Sequence, residues 1–543
     1  MARNSNRNSH RYFAISRFFQ SALSALSAAL VTIFTSSSPS VAAKTIATTA
    51  WEEANRAGRQ ALNKAHYAEA EKSFTAALKS AEGLGQEHPC VVVSLNNLAL
   101  LYDEQGKYQE AEPLYKRSLS LLEPSPVPSS DVATVLNNQA GLFSKQTDYA
   151  EADVSYKRAL AIRERTFGPK HPKVATSLNN LATLHCLQSK FKEAEPLYKR
   201  ALSIQTAAFG AEHPEVATTL NNLAGLYQEQ GQYEIAEDLY KRSLAIREKT
   251  LGNHPKTANS LSNLGALYRE QGRFTQAIPM CKKAIAIKEK SLGLVHPSLA
   301  TSLNNLATIY YHQGNSEAKP LLLRALKIRE VALGPDHPLV AVSLGNLAAF
   351  YVQQGNFKDA EPMYLKALSI MEMSLIANNP NKATGLNNLA ALYRKQGKYS
   401  EADPLYRRSV KIAEATLGPD HPNLAAIYYN LASFYRNQGN DKQEELLYKK
   451  ALKIREKALD PNHPDLAINL HCLGVLYCKR GQYKEAEPIL KRSLAIGEKA
   501  FGVNHPYIAI SLDQYSSLLK NTNRKVEARK FEARAKAIRA IKQ

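Results

Sequence analysis

Leu95-Asn96-Asn97-Leu98-Ala99-Leu100-Leu101-Tyr102 decides the architecture, because the chain repeats it. Recognisable copies start at Leu136, Leu178, Leu220, Leu261, Leu303, Leu344, Leu386, Tyr428, Leu470 and Leu512, and a degenerate one starts at Ala54. Successive starts lie 41 or 42 residues apart. A fixed period of this size denotes a stack of identical supersecondary units, each touching mainly its neighbours. Length alone suggests three or four domains of about 150 residues. The repeats override that, running without a linker from Ala54 to the C-terminus.

The copy from Pro338 shows what one unit builds. Leu344, Leu347, Ala348 and Tyr351 fall at helical spacing and make one apolar stripe. Gly355 ends this helix A, and a helix B from about Lys358 to Ser374 carries its own stripe of Ala360, Tyr364, Ala367 and Leu368. Small residues at Ala348 and Ala360 let the two helices approach closely. Such an αα-hairpin has two apolar flanks and must stack.

Most units end in a phrase like Leu333-Gly334-Pro335-Asp336-His337-Pro338. Its Gly suits a helix C′ position and its Pro the first turn of the next helix. The histidines (His88, His171, His213, His254, His296, His337, His421, His463, His505) come one per repeat, without the close spacing a metal site needs. They are expected to start helices. The five cysteines (Cys90, Cys186, Cys281, Cys472, Cys478) are odd in number and unpatterned, which opposes a disulfide framework or zinc site.

Four phrases carry a resemblance to the tetratricopeptide repeat in its 42-residue, kinesin-light-chain-like form. They are Leu-Asn-Asn-Leu-Ala-x-Leu-Tyr, Gln-Gly-Lys-Tyr (Gln105 to Tyr108, Gln396 to Tyr399), Glu-Ala-Glu-Pro-Leu-Tyr-Lys-Arg (Glu110 to Arg117, Glu193 to Arg200) and Leu-Gly-Pro-x-His-Pro. The resemblance implies an all-α, right-handed superhelical solenoid of about twelve antiparallel helix pairs, used to bind proteins rather than to catalyse. The coiled coil that precedes the repeats in eukaryotic kinesin light chains is missing, so the chain resembles a bacterial relative and not a motor subunit.

In such a solenoid one helix A stripe lines the concave groove: the residue two before the first Leu, the first Asn, the residue after Ala, and those after Tyr. The second Asn recurs as Asn97, Asn138, Asn180, Asn222, Asn263, Asn305, Asn346, Asn388 and Asn430. Similar repeats use the matching amide to grip a peptide backbone, since it both donates and accepts. Bonding between neighbouring helices is the compatible alternative. After the repeat Tyr the chain is acidic or neutral early (Asp103-Glu104, Gln228-Glu229) and basic later (Arg394-Lys395, Arg436, Lys479), with Arg269 beside Glu270 mixed. These positions predict an acidic peptide ligand held by Arg394, Lys395 and Arg436.

Basic residues outnumber acidic ones 70 to 49, for a formal charge of +21. Much of the excess is a helix B Lys-Arg phrase (Lys116-Arg117 through Lys491-Arg492) and the segment from Lys520 to Gln543. A basic convex face and tail binding nucleic acid or anionic lipid is therefore the second reading. Gly-rich phosphate loops, His-Glu-x-x-His and Gly-x-Ser-x-Gly do not occur, and no unrepeated constellation stands out, so neither an enzyme nor a cofactor is expected.

Residues 1–43 stand apart. Arg3, Arg7, Arg11 and Arg17 precede a short apolar run, Ser21 to Phe34, and a Val41-Ala42-Ala43 ending. This predicts a cleaved export signal, with a transit peptide or an uncleaved signal anchor as alternatives. The expected organisation is 1–43 signal, 44–53 lead-in and 54–543 repeat array. Mass spectrometry of the chain recovered from its source should find Lys44 at the N-terminus. Intact residues 1–43 on a soluble cytoplasmic form would exclude the secretory reading.

Overall fold

The computed structural model describes residues 42–122, 129–374 and 379–540. The signal reading (but for its last residues) lies outside these residues, as does the stretch where Pro124, Pro126 and Pro128 stand in place of the Leu-Gly-x-x-His-Pro phrase. Among the described residues twenty-four helices form twelve pairs. Repeats 1–4 are α1 (Ala42–Asn63) and α2 (Tyr67–Gly83), α3 (Pro89–Glu104) and α4 (Tyr108–Leu122), α5 (Ser130–Gln146) and α6 (Tyr149–Phe167), α7 (Pro172–Leu187) and α8 (Phe191–Phe209). Repeats 5–8 are α9 (Pro214–Gln230) and α10 (Tyr233–Leu251), α11 (Pro255–Glu270) and α12 (Phe274–Leu292), α13 (Pro297–Gln313) and α14 (Ala318–Leu333), α15 (Pro338–Gln353) and α16 (Phe357–Ser374). Repeats 9–12 are α17 (Pro380–Gln396) and α18 (Tyr399–Leu417), α19 (Pro422–Asn437) and α20 (Asp441–Ala458), α21 (Pro464–Lys479) and α22 (Tyr483–Phe501), α23 (Pro506–Asn521) and α24 (Lys525–Ala540). Odd-numbered helices are helices A. Among the described residues no helix is long and apolar enough to cross a membrane.

One boundary moves. Residues 44–53, set apart by the sequence as a lead-in, are the opening turns of α1, where Trp51 Nε1 donates to Ser94 Oγ of repeat 2 at 2.8 Å. The first copy is too degenerate to show where its helix begins. The close approach of helices A and B is as expected: Ala348, Ala360, Ala390 and Ala402 are fully buried. Gln139, in place of a Leu, is buried within an uninterrupted α5. The shortened seventh copy turns at Asn315, whose Oδ1 accepts from Glu317 N at 2.9 Å.

A buried cation ties each helix B to the next helix A in several repeats, and the sequence reading missed it. Arg329, fully buried, donates through Nη1 to the Leu339 carbonyl at 3.0 Å and to Ser343 Oγ at 2.9 Å. Arg163, Arg247 and Arg455 repeat the clasp, and Lys288 reaches the Ser298 carbonyl. The signal was present as Ile-Arg-Glu, with a Ser or Asn 13 or 14 residues on.

The nine histidines that precede a proline all cap helices. Each Nδ1 accepts the backbone N–H two residues ahead, at 3.0–3.3 Å. Ser129 and Asn379 do the same for α5 and α17. An imidazole accepting at Nδ1 carries its proton on Nε2, and that second edge decides the shape of the molecule. His421 Nε2 lies 3.4 Å from the Leu187 carbonyl and 3.2 Å from Ser189 Oγ, at the end of α7, six repeats earlier. The same offset recurs in every repeat of the second half. His296 bonds to the Asn63 backbone and His337 to that of Glu104. Asn379 Nδ2 donates to the Gln146 carbonyl at 3.3 Å, and Asp460 N, beside His463, to the Gln230 carbonyl at 3.0 Å. The His505 ring closes on Gly272. Repeats 7–12 thus form a second turn seated on repeats 1–6, helix A N-terminus upon helix A C-terminus. Opposite partial charges of the helix dipoles meet at each junction.

Glycine explains how closely. Gly106, Gly231 and Gly272 end first-turn helices with φ of +72°, +85° and +73°, and a Cβ on any of them would stand 2.7–3.0 Å from His337, His463 or His505. Solvent exclusion lowers the seam imidazoles: burial, aided by Lys288, pushes His296 down to about 4, burial with Lys145 and Arg329 pushes His337 to about 3, and burial pushes His421 to about 4.

Ala390→Phe should cost roughly 1–3 kcal/mol by overpacking; hydrogen exchange should show lost protection in repeats 8–10 and, across the seam, in repeat 3. Uniform loss along the chain would contradict units coupled by contact. A second prediction concerns acid. An unfolded imidazole titrates near 6.5, so below that pH the unfolded chain binds protons the folded seam refuses. Stability is complete above about pH 6.5 and falls towards pH 4, by up to about 1.4 kcal/mol per unit for each buried imidazole. Replacing His296, His337 and His421 by Asn, which makes both bonds natively at Asn379, should keep the neutral-pH melting temperature and flatten the acid slope.

Candidate functional site

The repeated polar residues of helix A are used for the most part by neighbouring repeats on each other. The second Asn of one repeat donates to the first Asn of the repeat before: Asn97 to Asn55 at 2.7 Å, Asn138 to Asn96 at 2.8 Å, Asn180 to Asn137 at 3.3 Å, Asn263 to Asn221 at 3.2 Å and Asn430 to Asn387 at 3.1 Å. These five amides have their N–H engaged in a ladder, so inter-helix bonding is the role the geometry gives them. Asn222, Asn305, Asn346 and Asn388 make no such bond. Opposite Asn305 and Asn388 the first Asn has become Ser262, bonded to Ser302, and Gly345, with open space where its Cβ would be. Opposite Asn222, Asn179 bonds Thr219 instead.

The positions after the repeat Tyr are sorted by partner. Asp103 and Glu104 both pair with Lys145, at 3.1 and 3.0 Å, and burial pushes the Asp103 carboxyl up to about 6. The acidic early groove is therefore largely neutralised from within. Gln228 donates to Glu270 at 2.6 Å, Arg269 lies 3.8 Å from the same carboxylate, and Lys479 pairs with Asp441 at 2.8 Å. Arg436 is exposed and electrostatically coupled to Glu444. Arg394 and Lys395 have no carboxylate partner among the described residues, and both are half-buried. Burial, with the Arg394 charge beside it, pushes the Lys395 ammonium down to about 8.

Repeats 8 and 9 therefore bring together two cations without a carboxylate and an amide without its ladder partner. Asn388 and Lys395 are seven residues apart, on one stripe of α17, about 10 Å along the helix. Ala391 lies between them, and Gly345 leaves space alongside on α15. Buried Gln353 Oε1 and Arg394 Nε have no hydrogen-bond partner. That set offers amide, ammonium and guanidinium donors over the length of about three extended residues.

A second departure went unnoticed in the sequence. Ala70, Ala111, Ala152 and their successors hold one helix B position, where repeat 10 has Glu444. Glu444 is buried, its Oε2 has no partner, and burial pushes its carboxyl up to about 7 against the pull of Arg436. Tyr429 and Cys472, 3.2 Å apart, lie beside it, and His471 is buried nearby. Reading down the Ala column would have found it. All five cysteines are free thiols, and among the described residues no group of three His, Cys, Asp or Glu is arranged to hold a metal.

The convex surface is a lattice of ion pairs. Lys116, Lys157, Lys199, Lys241, Arg407, Lys449 and Lys491 pair with the acid one turn before them. Arg117, Arg200, Arg408 and Arg492 reach an acid on the preceding helix B. The basic end of the chain is mostly α24, where Arg534 and Arg539 pair with Glu498 and Asp513, and Arg524, just before it, pairs with Glu487.

Among solved structures the chain is similar to BtubC from P. vanneervenii, at 25% identity over 46% of this chain and 92% of that one, with a TM-score of 0.34. It is also similar to a putative kinesin light chain with nearly identical TPR-like repeats from Podospora anserina, at 28% identity over 36% and 94%, TM-score 0.31. A Rap protein complexed with Competence and Sporulation Factor shares 17% identity over 68% and 99%, TM-score 0.47. No curated protein gives a significant match. The tetratricopeptide repeat model matches residues 51–123, 131–207, 177–249, 215–290, 256–318, 298–373, 381–457 and 465–540. With helix pairs, stripes and turns where that repeat requires them, the chain belongs to the tetratricopeptide repeat family.

Proposed function

We propose that this chain is an exported scaffold that holds an extended, acidic segment of a partner protein in its channel, at repeats 8 and 9. The observation that carries this reading is the interrupted ladder: where Gly345 removes the partner of Asn388, the same stripe ends in the unpaired Lys395, with Arg394 beside it. A desolvated ammonium without a carboxylate is a standing cost, which an anionic ligand relieves. Hydrogen bonds to such charged groups contribute roughly 1.5–3 kcal/mol each. Asn388 supplies an amide for the ligand backbone. Arg436, exposed one repeat on, extends the positive field along the channel.

The alternative, nucleic acid or anionic lipid, is disfavoured on the convex face by the pairing of the Lys-Arg phrases, while the C-terminal helix keeps Lys525, Lys530 and Lys536 exposed for it. On the convex face, bound phosphates would have to displace carboxylates already in place.

Partners captured from the source by the wild-type chain should be depleted at least tenfold, about 1.4 kcal/mol, by Arg394→Glu with Lys395→Glu. Lys116→Glu with Arg117→Glu should leave capture unchanged. Lys395 is cationic below about 8, so binding should weaken as the pH rises through that value. Greater damage from the helix B change, or a steep loss with salt, would favour the convex surface instead.

A further inference from the structure

The seam that seats the second turn on the first is left open at both ends of the described superhelix. Along the first turn, the residues that end helices A (Gly106, Thr147, Ser189, Gly231, Gly272) are partly covered by the second turn. Their second-turn counterparts Gly314, Gly355, Gly397, Gly439 and Gly481 are exposed, and nothing lies within 4 Å of where a Cβ would be. They keep the same left-handed φ, between +70° and +77°. At the other rim, His88, His171, His213 and His254 cap their own helices through Nδ1 like the seam histidines, but among the described residues no earlier turn lies beneath them to take Nε2. One rim therefore offers helix C-terminal carbonyls with a glycine cleft, and the other offers imidazole N–H donors on helix N-termini.

We propose that this chain associates head to tail with further copies of itself, extending the tube by the contact that already joins its own two turns. The register is set by the internal offset of six repeats. His88 of one copy seats at Gly355 of the next, His171 at Gly439 and His213 at Gly481. Two different patches meet, so the contact is heterologous; with a rotation and a rise per copy it produces an open filament and not a closed ring. Dipole ends of opposite sign face each other at every junction. This inference does not rest on the channel ligand.

Complementary blockade tests it on the full chain. Gln354→Arg with Gln438→Arg places cations at helix C-termini, which suits those helices but obstructs the glycine rim. His171→Asp with His213→Asp retains good N-caps, removes the Nε2 donors and sets carboxylates against carbonyls. Sedimentation velocity should show wild-type species growing steadily with concentration, and negative-stain images should show unbranched tubes. Each double variant should be monomeric with an unchanged helical signal and melt. Their equimolar mixture should form a one-to-one dimer and stop, since each retains only the rim the other lacks. A wild-type chain that stays monomeric, growth insensitive to either blockade, or a mixture that remains monomeric would each overturn the proposal.

Discussion

A neutral imidazole holds this structure together in two directions. Its Nδ1 lone pair accepts a free N–H at the start of one helix, and its Nε2 proton serves a carbonyl at the end of another. Helix termini leave such groups unsatisfied by construction. Proline beside each histidine fixes the approach of the chain and leaves no N–H of its own to satisfy. Because the ring is short and rigid, the two helix ends must come close, and first-turn residues with positive φ permit it. Asn379 reproduces both bonds with an amide, so the requirement is a donor and an acceptor on opposite edges, not an imidazole as such.

The channel and the convex face follow from that closure. Helix A polar groups meet between neighbouring repeats, and most satisfy one another there: the Asn ladder, Lys145 between Asp103 and Glu104, Gln228 with Glu270. Outside, helix B charges pair along each helix and between neighbours, which accounts for most of the basic phrases without a ligand. Repetition makes the exceptions conspicuous. Gly345 breaks the ladder, Lys395 lacks a counterion, and Glu444 stands where the other copies have Ala. Each carries a cost that the regular copies avoid, and such local costs gather where a protein does something besides fold.

Helices, their pairing and their number were legible in the sequence because they depend on neighbours in the chain. Leu344, Leu347, Ala348 and Tyr351 state a helical face, Gly355 states a turn, and His337-Pro338 states a start. The groove residues were legible only as a column. Which Asn bonds a neighbour and which is left over depends on the residue opposite, one repeat away, and Asn388 differs from Asn430 only through Gly345 and Asn387. The Ile-Arg-Glu clasp was written in the same periodic way, yet an arginine among so many surface cations gave no sign of being buried.

The sequence by itself determined an all-α solenoid of twelve units, since every unit repeats the instructions for one hairpin and one stacking face. Tertiary structure alone decided that six units close a turn and that His421 meets Leu187 across 234 positions. The reason is physical: small rotations between successive repeats add up, and no single repeat encodes their sum. Only when the sum brings one helix end onto another do the second nitrogen of each histidine, the missing side chain of Gly106 and the buried charge of Lys395 acquire their meaning.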